Sequence, residues 1–319
     1  MSPVVEAVVS TVKVCAQSAE NLTMLQTVTA GDLEIAYYET GPADGPVVIL
    51  LHGFPYDPRS YDAVAQILSD QGIRCLVPYL RGYGPTRFLG AATMRSGQQA
   101  ALAYDLKAFM DALGVTSSYL AGYDWGGRAA CIVSAIWPER VRGLLSCGMG
   151  YNIQDIPNAW QPAPASEEAR YWYIYFFNTR RGRTALERDR NDICAHIWKL
   201  WSPTWGFDAA TFSRTAKSFE NPDFVEIVIH SYRHRLGDTP GDPRFDALET
   251  RLAAQPGIGV PSIVLQGATD GVDPPQKEDA AAPHFTGYYE RRVLETVGHN
   301  PPQEAPVAFA AAVKTLAAL

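Results

Sequence analysis

The heptapeptide Gly122-Tyr123-Asp124-Trp125-Gly126-Gly127-Arg128 lies between an apolar run that reads as a strand, Ser117 to Gly122, and a stretch that reads as a helix as far as Trp137-Pro138. A strand that passes directly into a helix turns sharply, strains its backbone, and leaves no room for side chains beside the residue at the apex. Gly122, Gly126 and Gly127 meet that demand. The apex residue is then Asp124, a carboxylate. A carboxylate can displace a leaving group from saturated carbon and give an ester that water can cleave. Attack on an ordinary carboxylic ester would instead give a high-energy anhydride, so esterase and protease chemistry is disfavoured. Aspartate in a turn is also a common helix N-cap, and the rest of the chain has to separate the two readings.

The chain has 319 residues, 47% hydrophobic and 19% charged, enough to bury a large core in one domain with an insertion or in two small domains. Net charge is -7 and lysine and arginine form no dense run, so neither nucleic acid nor a membrane surface is expected as a partner. The expected partner is a small-molecule substrate, bound by a monomer or a homodimer. Five cysteines (Cys15, Cys75, Cys131, Cys147, Cys194) lack metal-ligand spacing and read as thiols of a reducing compartment. The start of the chain lacks a basic segment followed by a long apolar one, and no stretch approaches the roughly 20 apolar residues of a membrane span. These features predict a cytoplasmic protein with an N-terminal extension at residues 1–23.

From Met24 onward the elements alternate. Met24 to Val28 and Leu33 to Glu39 flank Ala30-Gly31-Asp32 and predict a hairpin. Val47 to Leu51 is a continuous apolar run of the kind that a strand buried on both faces needs. Arg74 to Pro78 is a shorter one, and Ser96 with Gln99 three residues on predicts a capping box for a helix through Leu113. Val141 to Cys147 is a further strand. Between Tyr151 and Asp246 no strand pattern occurs, and helical spacing appears in Ala169 to Phe177, Asp192 to Trp201 and Phe224 to Leu236. Strand and helix resume with Ser262 to Gln266, Tyr288 to Thr296 and a closing helix from Pro306. The pattern predicts an α/β class: a mostly parallel eight-stranded sheet with helices on both faces, built from residues 24–150 and 247–319, with a helical cap inserted at 151–246.

A strand, a Gly-x-Asp-x-Gly-Gly turn and a helix within such a chain resemble the nucleophile elbow of the α/β-hydrolase fold, in which nucleophile, acid and histidine follow in that order. Asp270, in Gly267-Ala268-Thr269-Asp270 after the seventh strand, stands where the acid is expected, with Asp273 as its rival. His299, in Val297-Gly298-His299-Asn300-Pro301, follows the last strand. The loop His52-Gly53-Phe54-Pro55 is placed to donate one oxyanion N–H, giving Phe54 and Trp125 as the expected pair. The remaining histidines have no metal-ligand spacing, and neither metal nor cofactor is expected.

Taken together, Asp-Trp-Gly-Gly, His-Gly-Phe-Pro and the late Gly-His resemble the epoxide hydrolase and haloalkane dehalogenase branch of that superfamily over nearly the whole length from Met24. The resemblance to epoxide hydrolases implies two cap tyrosines that hold and protonate the epoxide oxygen. Tyr173 in Tyr171-Trp172-Tyr173-Ile174-Tyr175-Phe176-Phe177 matches the first, with Tyr171 and Tyr175 as rivals, and Tyr232 in Tyr232-Arg233 matches the second. It also implies hydrolysis to vicinal diols through a covalent aspartyl ester. Haloalkane dehalogenases resemble the chain less, because Phe54 stands where they carry an asparagine. Fluoroacetate dehalogenases are the closer alternative: Arg128 matches the second arginine of their Asp-Arg-x-x-Arg elbow, although Trp125 replaces the first. Arg128 is either a structural arginine behind the elbow or a substrate-binding group facing the pocket, where it would favour a haloacid or an anionic epoxide.

Overall fold

The computed structural model describes residues 24–319; the expected extension at 1–23, with Cys15, lies outside the described residues. The chain enters as a hairpin of β1 (Leu25–Ala30) and β2 (Leu33–Thr40), paired antiparallel across a two-residue turn in which Gly31 takes φ +56°. Then follow β3 (Val47–Leu51), α1 (Asp62–Ser69), β4 (Arg74–Pro78), the two-residue β5 (Arg87–Phe88), α2 (Gln99–Ala112), β6 (Ser118–Gly122), α3 (Asp124–Ile136) and β7 (Val141–Cys147). Six helices separate β7 from the next strand: α4 (Ala165–Arg170), α5 (Trp172–Asn178), α6 (Arg180–Trp201), α7 (Ala209–Ala216), α8 (Phe224–Arg235) and α9 (Asp246–Ala253). The chain closes with β8 (Ser262–Gly267), β9 (Tyr289–Leu294), α10 (Pro301–Glu304) and α11 (Pro306–Ala317).

The sheet order is β1-β2-β4-β3-β6-β7-β8-β9, with β5 added beside β2. All pairings from β4 to β9 are parallel. The strands at its centre are buried nearly throughout, as their apolar runs require, whereas the edge strand β1 alternates between exposed and half-buried residues. Successive residues of one strand point to opposite faces. Tyr37 meets Phe109 of α2 at 5.2 Å while its neighbour Tyr38 lies under Arg59, just before α1. Helices therefore cover both faces, α2 with α3 on one and α1 with α11 on the other.

Several local expectations are corrected. Ser96 is not a helix cap; its hydroxyl donates to the Gln98 side chain, and α2 begins only at Gln99. The capping role falls to Glu249 of α9, whose carboxylate accepts the Ala100 N–H at 3.2 Å, a long-range partner that no local pattern announces. The helix expected over Ala169 to Phe177 is two helices broken at Tyr171, whose hydroxyl is drawn to Asp273 at 3.1 Å. α6 starts twelve residues before Asp192, at Arg180, capped by Thr179 Oγ1, which accepts the Gly182 N–H at 3.0 Å. Its first half is too polar to carry an apolar stripe and it kinks at Asp189.

One buried carboxyl ties the helical stretch to the loop after β3. Asp57 accepts from the Arg59 N–H at 3.0 Å, from Thr215 Oγ1 at 3.0 Å and from Ser218 Oγ at 2.6 Å. Burial without a cation in contact pushes it up to about 7, against those hydrogen bonds. An acid whose folded value is raised binds more protons folded than unfolded, so its contribution to stability declines as pH rises from about 4 to about 7, by at most about 1.4 kcal/mol per pH unit. Asp57→Asn is expected to remove that slope: in denaturant melts at pH 5 and pH 8, the wild type loses more stability than the variant between the two conditions. Equal losses would show that Asp57 does not titrate in this window.

Candidate active site

Asp124 is the first residue of α3 and adopts φ +50°, a conformation rarely tolerated outside glycine. The space around it explains the glycines. A Cβ on Gly126 would stand 2.1 Å from the Leu51 carbonyl oxygen, and one on Gly53 would stand 2.4 Å from the Asp124 Cβ. The need at Gly53 was not apparent from the sequence, because it arises where the loop after β3 crosses the elbow. That loop delivers the Phe54 N–H to Asp124 Oδ1 at 2.7 Å. The first hydrogen bond of the new helix runs from Gly127 N to the Tyr123 carbonyl, so the Trp125 amide precedes it at the helix N-terminus, where helix amides have no intrahelical acceptor.

After β8 the chain makes a turn around Asp270, whose Oδ1 accepts the N–H groups of Val272 (2.8 Å) and Asp273 (3.0 Å). Its other oxygen lies 2.8 Å from His299 Nδ1. An ionised carboxylate only accepts, which assigns the proton to Nδ1 and turns Nε2 toward Asp124 Oδ2, 3.9 Å away. Asp273 does not contact the ring; it accepts from Tyr171, and burial with the adjacent Asp270 charge pushes it up to about 6. The histidine loop is fixed by residues outside the sequence expectations. The Trp201 carbonyl and Ser202 Oγ accept the His299 N–H at 3.2 and 3.0 Å, and the Glu304 carboxylate accepts the amides of Gly298 and Asn300 at 2.7 and 3.0 Å.

The charges within this buried group support one another. Desolvation opposes a protonated His299, but Asp270 and Asp124 outweigh it and hold the imidazolium well above its ordinary range. Desolvation likewise opposes the Asp124 carboxylate, yet His299, Arg128 and the Phe54 amide keep its carboxyl below the usual value. His52 is different: burial pushes it down to about 4, and its Nε2 accepts the Leu80 N–H at 3.1 Å, so it is a neutral structural brace.

The helical stretch between β7 and β8 supplies the facing wall. Tyr173 and Tyr232 are buried, their rings 5.4 Å apart, and the Tyr232 hydroxyl has no hydrogen-bond partner among the described residues. Tyr232 packs on Phe54 at 5.4 Å and on Trp125 at 6.0 Å. The rivals of Tyr173 are engaged elsewhere, Tyr171 with Asp273 and Tyr175, 45% exposed, with Glu168. Trp201 lies edge-on to His299 at 4.8 Å with a buried, unpartnered indole N–H, and nothing in the sequence set it apart from its neighbours Trp198 and Trp205. Arg128 is 7% exposed and lines a cavity of about 440 Å³ together with Arg235; Asp124, His299, Tyr173 and Tyr232 are not among the residues that line it. The only hint of Arg235 was its place one helical turn beyond Tyr232. Among the described residues no cluster of histidine, cysteine and carboxylate side chains could hold a metal ion, and no helix is long and apolar enough to cross a membrane.

Comparison with known proteins bears on this arrangement. A family profile described as the alpha/beta hydrolase fold matches residues 46–306. The chain belongs to the α/β-hydrolase family. Within it, the chain is similar to a candidate epoxide hydrolase from Klebsiella pneumoniae whose crystal structure is 46% identical, with a TM-score of 0.91 over 95% of this chain and 100% of that one. Epoxide hydrolase A of Mycobacterium tuberculosis is 25% identical over 90% of this chain and 94% of its own length. Epoxide hydrolase 3 of Siraitia grosvenorii is 35% identical over 113 residues, and the match spans only 34% of that enzyme's length. The protein is an epoxide hydrolase-like α/β-hydrolase, as the elbow, the late histidine and the oxyanion loop had implied.

The tightness of the elbow is open to test. Gly126→Ala places a methyl group against the Leu51 carbonyl, where backbone rather than a flexible side chain must move. The variant is expected to lose about 1–3 kcal/mol of stability in denaturant titration. An unchanged midpoint would mean that the strand-to-helix turn relaxes freely.

Proposed function

We propose that the protein hydrolyses epoxides to vicinal diols, with residues 151–246 acting as a cap over the elbow and Asp124, His299, Asp270, Tyr173 and Tyr232 as catalytic residues. The observation that carries this reading is the unpartnered Tyr232 hydroxyl, buried beside Tyr173 and facing the Asp124 elbow. An acid is needed there because the ring oxygen leaves as an alkoxide, a poor leaving group. In the first step an Asp124 oxygen attacks a ring carbon, the ring C–O bond breaks, and the oxygen takes a proton from one of the tyrosines, giving a hydroxyalkyl ester.

In the second step water adds to the ester carbonyl as His299 Nε2 takes its proton, and the amides of Phe54 and Trp125 stabilise the oxyanion. The tetrahedral intermediate collapses and the ester C–O bond breaks; the leaving alkoxide takes the proton held by His299, completing the diol, and the new carboxyl group of Asp124 gives up the second water proton to the tyrosinate left by the first step, restoring the carboxylate and the phenol. His299 must be neutral to act as the base, although Asp124 helps to hold its proton in the resting site. Esterification removes the Asp124 charge and so lowers the proton affinity of His299 at the step that needs a base. None of these steps uses a metal or cofactor. Four buried free thiols, Cys75, Cys131, Cys147 and Cys194, support a reducing, cytoplasmic setting.

A dehalogenase reading of the same site is favoured by one observation, the buried and unpartnered Trp201 indole N–H, which could hold a departing halide alongside Trp125. Assay of epoxides and haloacids in parallel, scoring diol against halide release, separates the two: diol without halide is expected. His299→Gln is expected to accumulate an adduct of substrate mass on Asp124, visible in the intact protein and mapped to the Asp124 peptide. Full substrate exposure with no mass change would rule out the covalent route. Tyr173→Phe and Tyr232→Phe are each expected to slow ring opening about 10- to 100-fold, and the double variant more. Because the Asp124 carboxyl is held low, the single-turnover alkylation rate is expected to stay flat from pH 8 down to about pH 5. A decline beginning above pH 6 would contradict that assignment.

A further inference from the structure

We infer that the substrate is an anionic epoxide, an epoxy acid whose carboxylate is bound between Arg128 of α3 and Arg235 of α8; this rests on the hydrolase reading above. Both arginines line the 440 Å³ cavity: Arg128 is buried with an unpartnered Nε, and Arg235, half-buried, stands over the Tyr171 ring at 5.8 Å. Elsewhere in this protein buried arginine is fully engaged: Arg81 grips Asp105 through two bonds of 2.6 and 2.7 Å and also donates to the carbonyl groups of Ser96 and Ala101. A guanidinium drawn out of water without a hydrogen-bonded counter-charge is costly, and here the nearest carboxylates, Asp124 toward Arg128 and Asp273 toward Arg235, act only at a distance. Arg128 accordingly has its proton affinity lowered by burial and by the nearby Arg235 charge. The cavity does contain carboxylates, but they are already committed. Glu168 accepts from the Ala163 N–H and from Tyr175, and Asp155, exposed, accepts from Asn158.

The helical spacing fixes how such a ligand would lie. Arg128 is four residues after Asp124 on α3, and Arg235 is three residues after Tyr232 on α8. Side chains so spaced rise from one helix face with Cβ atoms about 5–6 Å apart. The anion site therefore lies one helical turn from the proposed nucleophile on one wall and one turn from the proposed acid on the other. A carboxylate held by both guanidinium groups, which bind carboxylates in planar pairs of hydrogen bonds, would direct an oxirane one helical turn onward toward Asp124 and the tyrosines, which lie beyond the residues that line the cavity. Ile153, Tyr171 and Ile174 offer apolar surface to the rest of the molecule.

The test compares trans-3-phenylglycidate with its primary amide, which has the same shape and no charge, and adds trans-cinnamate and cinnamamide as unreactive ligands measured by calorimetry. The wild type is expected to favour the acid epoxide over the amide by about 100-fold in kcat/KM, and to bind cinnamate at least about tenfold more tightly than cinnamamide. Arg128→Gln and Arg235→Gln are each expected to reduce both preferences by about tenfold or more, with partial recovery in the lysine variants. Thermal melts identify any variant that fails to fold, in which case the other arginine and the lysine variants carry the test. Equal handling of acid and amide, or a preference that survives in both glutamine variants, overturns the anion site even if the amide is hydrolysed well. Selective, arginine-dependent binding of cinnamate with no turnover of either epoxide leaves the anion site standing and removes the epoxide reading instead.

Discussion

Holding an aspartate at φ +50° costs about 1–3 kcal/mol, and the surroundings of the elbow are arranged to over-determine that conformation. The parallel register sets Leu51 of β3 beside Gly122 of β6, so the loops that follow both strands leave the sheet together. Gly53 and Gly126 then bring the two loops within contact distance, and the Phe54 amide closes on the Asp124 carboxylate. Side chains fasten the outside of this joint: Tyr61 donates to the Leu51 carbonyl at 2.9 Å, and Trp198 of the helical stretch donates to the Pro55 carbonyl at 2.9 Å. The apex is thus tied both to the sheet and to the wall that faces it, and its carboxylate cannot relax without disturbing both.

Rigidity also governs the electrostatics. A carboxylate, an imidazole and a second carboxylate aligned away from water interact much more strongly than they would on a surface, which is why burial does not neutralise Asp124 or His299. The balance is sensitive to a single charge. Asp273, one turn from Asp270 and without the histidine contact, is pushed upward by the same burial that Asp124 withstands. Sequence position made Asp270 and Asp273 rivals; contact with the imidazole separates them, and the backbone amides that wrap Asp270 Oδ1 orient it for that contact.

How much could be read from the chain divides along the same physical lines. The central strands, buried on both faces, announce themselves as continuous apolar runs, and β1 and β2 through the turn between them; β5, two residues long, has no pattern to detect. The elbow, the late histidine and the oxyanion loop could be located because each follows a strand and their order is fixed. What escaped reading depends on partners distant in sequence. Glu249 caps α2 from across about 150 residues, Glu304 holds the histidine loop, and Gly53 is required only because Asp124 passes over it. The first half of α6 was missed because its face toward water is so wide that no apolar period survives, and the choice among Tyr171, Tyr173 and Tyr175 depends on a helix break at Tyr171 itself.

The two tyrosines of the proposed acid site are buried, and that burial decides what they can do. Loss of water raises the proton affinity of each phenol well above its ordinary value, so both remain O–H donors throughout the physiological range. A neutral donor in a dry pocket forms a stronger hydrogen bond than it would in water. The same desolvation raises the proton affinity of an alkoxide formed beside it, so transfer stays favourable even from a phenol that has become a weaker acid. The two hydroxyls share one electrostatic field, in which Arg235 favours release of the proton from each and Asp124 opposes it. Within the proposed cycle, ester formation removes the Asp124 charge and with it that opposition, and the arginine of α8 is connected to the acid step as well as to the ligand.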